Sequence, residues 1–299
     1  MSALPTLLHG LIDYAGLFPP AKLPMTDAVR NHADYLRGPH AGALGRFIVP
    51  LARLTEFEAA HARLAPAAQA GWQLSALAGD DPAADATVIR DFNSRHPSAR
   101  IVSLETKAAT PADVARLIAP FPSDFEIWVE VPGNSDAPAF IAALKATRGA
   151  TGARPLGAKI RTGGVTASAF PAPADVARFM LACREAGVPF KTTAGLHHPL
   201  RGEFALTYEP GSPRGVMFGF LNVFLAAALV HTGGSEADAG ALLGEMDAAA
   251  FAVSADVITW RGRRFTTAQL AATRQNFARS FGSCSFTEPI EGLQALRWL

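Results

Sequence analysis

Two lysines, Lys159 and Lys191, stand 32 positions apart, each in an apolar run followed two residues later by another polar group, Arg161 and Thr193. In a strand, residues two apart leave the same face. Each run therefore sends a lysine and its polar neighbour to one side, and buried cations are costly unless paired or used. A lysine amine that has shed its proton adds to a carbonyl carbon and forms an imine. A second cation nearby and a dry surrounding both favour the neutral amine. Such chemistry also needs a carboxylate to move protons, and Asp13, Glu105 and Glu130 occur near the ends of other apolar runs. Period two sharpens the set. Ser103, Glu105 and Lys107 share one face, as do Trp128 and Glu130. Val102, Leu104, Ile127, Val129, Ala158, Ile160, Phe190 and Thr192 take the opposite, outer face. The catalytic candidates are Lys159, Lys191, Glu105, Glu130 and Asp13. Arg161, Thr193, His197, His198, Asn222 and Lys107 are candidates for holding a substrate.

The elements that must position these residues read as repeated β-α units. Strands are expected within the apolar segment Leu7 to Phe18, at Arg46–Pro50, Trp72–Ala78, Arg100–Thr106 and Phe125–Val131, then around Lys159 and Lys191, and last at Gly215–Phe220. Helical patterns separate nearly all of them. Asp81 before Pro82 is a helix start, Thr55 with Glu58 and Thr266 with Gln269 read as capping boxes, and Gly187 is a C-cap. Eight strands in this order predict one domain over residues 1–299, a parallel eight-stranded (β/α)8 barrel of the TIM type. The barrel is expected to span about 7–231, with extra C-terminal helices over about 235–299. The segment from His198 to Arg214 has three prolines and no helical period, and reads as a long loop over the strand ends, a lid. Ile258–Phe265 reads as a small hairpin. In such a barrel the site lies at the C-terminal ends of the strands.

Composition narrows the classes. The chain has 49% hydrophobic and 18% charged residues and a formal net charge of +1, with no basic run interleaved with aromatics. That argues against nucleic acid as a partner. The most apolar run, Val216–Val230, is too short to span a membrane. Two cysteines, Cys183 and Cys284, support neither a disulfide framework nor a CxxC site, and fit a reducing, cytoplasmic setting. A small-molecule substrate is expected, and a homo-oligomer is compatible. Cys284, between two serines, reads as structural.

AKIRTGG followed by FKTTAGLHH resembles the sixth and seventh strands of deoxyribose-phosphate aldolase and its class I aldolase relatives. LIDYAGLFPPA is similar to that family's first strand, and WVEVP to its fifth. The resemblance implies a TIM barrel and a lyase in which Lys159 forms a Schiff base, Lys191 is its partner, and Asp13 or Glu105 transfers protons. Two departures stand out. Arg161 separates Lys159 from Thr162, and GFLNVF, taken as the eighth strand, lacks the family's phosphate-holding Gly-Ser turn. A carboxylated or neutral substrate is therefore expected, with Arg161 available to clamp a carboxylate.

Two other readings use the same residues. His197 or His198 with Glu105 and Glu130 could hold a divalent metal in a lyase or hydrolase, although three nearby cations would repel it. A barrel could also bind a small molecule without turnover, since fold does not decide function. The favoured expectation is an aldolase-like enzyme with no cofactor.

Overall fold

The structure, a computed structural model, describes residues 2–133, 136–150 and 155–299. Thirteen strands are formed by the described residues: β1 Ile12–Tyr14, β2 Leu44–Pro50, β3 Trp72–Leu77, β4 Ala99–Lys107, β5 Glu126–Glu130, β6 Leu156–Arg161, β7 Phe190–Thr193, β8 Gly202–Ala205, β9 Arg214–Met217, β10 Phe251–Val253, β11 Val257–Trp260, β12 Arg263–Thr266 and β13 Ala278–Ser283. Twelve α-helices accompany them: α1 Ala3–Leu8, α2 Met25–Tyr35, α3 Leu54–His61, α4 Pro66–Gln69, α5 Pro82–Arg95, α6 Asp113–Ile118, α7 Ala137–Ala150, α8 Pro173–Ala186, α9 Phe220–His231, α10 Glu236–Gly244, α11 Thr267–Asn276 and α12 Thr287–Ala295.

Eight parallel strands close into a barrel in the order β1-β13-β7-β6-β5-β4-β3-β2. The expected TIM-type barrel is present, and strands one to seven lie where their apolar runs placed them. The eighth does not. Gly215–Phe220 is not a barrel strand: Arg214–Met217 pairs antiparallel with Gly202–Ala205 in a separate hairpin. The barrel is closed instead by β13, between β7 and β1. Residues 278–283 thus belong to the barrel, and closure at about 231 is corrected. The chain between β7 and β13 contains the hairpin, α9, α10, a three-stranded antiparallel sheet β10-β11-β12, and α11. The hairpin expected over Ile258–Phe265 is the β11–β12 half of that sheet.

The apolar core lies between the strands and the helices. Phe47, Leu74, Leu104, Ile127, Val129, Ile160 and Phe281 all point outward into it and are buried. The apolar run 220–230 is α9, buried along its length and packed against α8, α10 and α11. Among the described residues no helix is long and apolar enough to cross a membrane. The helix boundaries follow local chemistry. Asp81 accepts from the N–H groups of Ala83 and Ala84 at the start of α5, Thr266 and Gln269 form a full capping box on α11, and Gly187 ends α8 with φ 64°. Thr55 is not a cap; it falls inside α3, which starts one residue earlier without a side-chain cap. The barrel interior is polar, with Asp13, Ser75, Ser103, Glu105, Glu130, Lys159, Lys191 and Ser280 all buried.

Candidate active site

Strand register brings the charged residues to one end. Lys107 on β4 is opposite Glu130 on β5, Glu130 is opposite Lys159 on β6, and Lys159 is opposite Lys191 on β7. Two lysines face each other with no carboxylate between them in this row. Glu105, two residues before Lys107 on β4, reaches across and takes both. Its Oε2 lies 2.8 Å from Lys159 Nζ and its Oε1 2.6 Å from Lys191 Nζ. Lys159 also meets Glu130 Oε2 at 3.0 Å, and Lys191 meets Asp13 Oδ2 at 2.7 Å. The result is a continuous chain of alternating charge, Asp13–Lys191–Glu105–Lys159–Glu130, with Lys107 3.5 Å from Glu130 at the rim. Hydroxyls hold it from below. Ser280 donates to Asp13 at 2.6 Å and Ser75 to Glu105 at 2.9 Å, while Ser103 donates to Ser75 at 2.8 Å.

A second cation nearby favours a neutral lysine, and a carboxylate in direct contact favours a charged one. Burial alone would push the Lys191 ammonium toward the neutral form, but Asp13 and Glu105 outweigh it and hold the group above its usual range. Burial alone would likewise raise Glu105, yet Lys159 and Lys191 hold its carboxyl well below the usual carboxylate range. Glu130 is held low by Lys159 against its own burial. A carboxylate between two cations converts their repulsion into two ion pairs.

The two lysines differ in access. Lys191 is fully buried, whereas Lys159 borders a cavity of about 240 Å³ together with Glu105, Arg161, Thr193, His197 and His198. Lys159 and Arg161 also border a second recess, shared with Glu130 and Lys107. Asp13 lies beneath, away from the cavity. Arg161 is exposed at the mouth. Thr162 sends its Oγ1 to the Ala194 carbonyl at 2.8 Å and braces the turn after β7. That turn carries Ala194 and Gly195 at φ 66° and 72°, so the chain reverses sharply and delivers both histidines to the cavity.

The histidines separate by partner. His197 Nδ1 is 2.9 Å from Glu288 Oε2. His198 stacks on Phe204, ring centroids 3.4 Å apart, and burial pushes it down to about 4. Asn222 is not at the mouth. It is buried at the start of α9, accepting from the Arg201 N–H at 2.9 Å and donating to the carbonyls of Leu242 and Glu245, each at 2.9 Å. Its assignment to substrate binding is corrected: it ties α9 to the C-terminal end of α10. Of the metal set, His197, His198 and Glu105 share the cavity wall but do not converge on a point: His197 is paired with Glu288, and both Glu105 and Glu130 with lysines. Among the described residues no group of three or more His, Cys, Asp or Glu is arranged to hold a metal ion.

Several residues of the site lay outside the sequence reading. Glu288 and Tyr208 border the cavity, and Ser75 and Ser280 support the carboxylates. Ser280 was missed because β13 was read as part of a helix, and Cys284, read as structural, borders the cavity as well. The same misplacement hid a Gly-Ser pair: Gly282–Ser283 ends the true eighth strand, so the reason for preferring an unphosphorylated substrate falls. The segment expected as a long loop over the strand ends does border the cavity, but it folds as the β8–β9 hairpin with its connecting segment. Ala205, Leu206, Thr207 and Tyr208 from it border the cavity, and Tyr208 reaches Glu288 at 2.6 Å.

No family model matches the chain, and no curated protein matches it. Among solved structures it is similar to a deoxyribose phosphate aldolase from Aeropyrum pernix, described as a unique tetramer, with 14% identity and a TM-score of 0.47 over 98% of this chain and 93% of that one. It is also similar to the catalytic domain of a hyperthermophilic chitinase from Pyrococcus furiosus, with 11% identity and a TM-score of 0.38 over 76% and 82% of the two chains. At such low identity these likenesses say nothing about chemistry.

Proposed function

We propose that this chain is an enzyme of the aldolase type, a lyase that makes or breaks a carbon–carbon bond in a small carbonyl compound through an imine on Lys159. The observation that carries this reading is the placement of Lys159 Nζ at the cavity wall between Glu105 and Glu130, at 2.8 and 3.0 Å. An ammonium and a protonated imine carry the same charge, so the two carboxylates that hold the resting lysine also stabilise the iminium that replaces it. Lys191 draws on the far oxygen of Glu105, which leaves Glu130, at the edge of the site, as the freer proton acceptor. In the cleavage direction, Glu130 takes a proton from the Lys159 ammonium, the neutral amine adds to the carbonyl, and the proton returns to the hydroxyl that leaves as water, giving the iminium. A base then takes the proton of the β-hydroxyl, and the bond to the α-carbon breaks as its electron pair moves into the enamine. Protonation of that carbon and hydrolysis return the lysine. Arg161 at the mouth is placed to meet an anionic arm of the substrate, carboxylate or phosphate.

Borohydride reduction in the presence of small aldehydes and keto acids, followed by mass mapping, tests the reading. The expected result is a reduced adduct on Lys159 that is lost in Lys159→Arg and kept in Lys145→Arg, an exposed position on α7. Saturable binding of these compounds with no adduct would instead fit a barrel that binds without turnover.

A further inference from the structure

The same cavity holds a second set of reactive side chains that the imine chemistry leaves unused. Cys284 follows β13, His197 follows the turn after β7, and Glu288 lies in the first turn of α12. His197 Nδ1 is 2.9 Å from Glu288 Oε2, and its Nε2 faces the Cys284 sulfur at 4.0 Å. Tyr208, from the hairpin over the mouth, donates to the same Glu288 oxygen at 2.6 Å and lies 3.6 Å from the sulfur. All four border the cavity. The other cysteine is a useful contrast. Cys183 sits on the apolar face of α8 with no exposure, and burial raises its thiol well above the usual value. One thiol is inert packing; the other has a histidine, a carboxylate behind that histidine, and open space in front. Burial alone would strip the His197 ring of its proton, but Cys284 and Glu288 outweigh it and push the ring up to about 10.

We propose that Cys284, His197 and Glu288 form a thiol centre that attacks the acyl carbon of a small ester or thioester bound in this cavity. Cys284 is the nucleophile and His197 its proton partner; Glu288 is a positioning residue that fixes Nε2 toward the sulfur. The sulfur attacks as the anion, with its proton on His197 Nε2. A sulfur–carbon bond forms as the carbonyl π pair moves to oxygen. When that pair returns, the bond to the leaving group breaks and the group departs with the proton from His197. This leaves an acyl thioester on Cys284. Water then adds to the acyl carbon, giving its proton to His197, and the thiolate leaves as the free acid is released. No oxidant or cofactor enters the balance. Contacts at a sulfur–imidazole pair are often long without substrate and tighten on binding.

The test uses iodoacetamide and p-nitrophenyl acetate on the full chain. Its readouts are mass on Cys284 and alkylation rate, so its failure is distinct from failure to trap Lys159. At pH 6.5 Cys284, with His197 Nε2 facing its sulfur as proton partner, should be alkylated at least about ten-fold faster than glutathione. The ester should give a burst near one equivalent, with the acetyl group on Cys284. His197→Asn should lower both rates at least about ten-fold, and Glu288→Gln should lower them less, with folding checked by circular dichroism. Tyr208→Ala removes the hairpin's contact and guards against a merely closed mouth. The proposal is overturned if Cys284 labels no faster than glutathione in both wild type and Tyr208→Ala. It is overturned equally if the acetyl group maps elsewhere, or if His197→Asn folds and leaves the rates unchanged.

Discussion

Replacing Lys191 with Met removes the ammonium that joins Asp13 to Glu105 and keeps a side chain of similar length. Two contacts vanish, 2.7 Å to Asp13 and 2.6 Å to Glu105. Neither carboxylate loses all its partners. Asp13 keeps Ser280 at 2.6 Å and the Arg46 N–H at 2.8 Å, and Glu105 keeps Ser75 at 2.9 Å and Lys159 at 2.8 Å. What changes is charge: Asp13, Glu105 and Glu130 are left with Lys159 where there had been two buried lysines. Removing one member of a buried ion pair costs about 3–5 kcal/mol, and the retained hydrogen bonds favour the lower end. In a chain of 299 residues about 3 kcal/mol corresponds to a fall of about 5 °C in Tm. The pH dependence identifies the cause. Lys191 is one of the two cations that hold Glu105 low, so without it Glu105 takes up a proton more readily, the folded variant binds more protons than folded wild type, and its deficit narrows as pH falls from about 7 to 5. Denaturant titrations of both proteins at the two pH values measure this. A loss below about 1 kcal/mol at neutral pH, or a deficit that does not change with pH, would refute the view that Lys191 acts as a buried counter-ion.

Three further outcomes are expected. Glu105, Glu126 and Glu130 are all held low in the folded chain. Their stabilisation is complete above the unfolded value of about 4.3 and is lost as pH falls through the lower folded values, so thermal melts should decline below about pH 4. Lys191, held high, keeps its contribution up to about pH 10.4 and loses it only as pH rises further. Phe281→Ala on β13 should cost about 3–5 kcal/mol, because Phe281 is fully buried against Phe220 and Phe224. Val216→Ala, on the hairpin and 39% exposed, should cost less than about 0.5 kcal/mol; equal losses would contradict closure of the barrel by β13. In hydrogen exchange, residues 202–217 should exchange faster than β4 to β7, because an isolated two-stranded hairpin is marginal by itself, and Tyr208→Phe should speed them further. Protection equal to that of the strands would make the hairpin a fixed plug.

The sequence by itself determined the barrel and most of its polar interior. Alternation in LGAKIR, FKTT, RIVSLET and EIWVE assigns Lys159, Lys191, Glu105 and Glu130 to one face, because a strand admits only two faces and the other is apolar. That inference needs no distance. The eighth strand was not legible for a related reason. ARSFGS is short, half polar and rich in small residues, since its inward positions, Ser280 and Gly282, meet Asp13 and Thr193 inside a crowded barrel. GVMFGF is more apolar and reads better as a strand, yet it is a surface hairpin running into a buried helix. Only closure of the ring, a contact between β1 and β13 at opposite ends of the chain, distinguishes them. The pairing of the lysines was likewise decided in three dimensions. Spacing places Lys159 beside Lys191, which suggests repulsion; the reach of Glu105 from β4 across to β6 and β7 decides for two ion pairs. The thiol centre is a still clearer case, for Cys284 and His197 are 87 positions apart. Nothing local in GSCS marks its cysteine, and its partners are assembled by the packing of a turn, a strand end and a helix start.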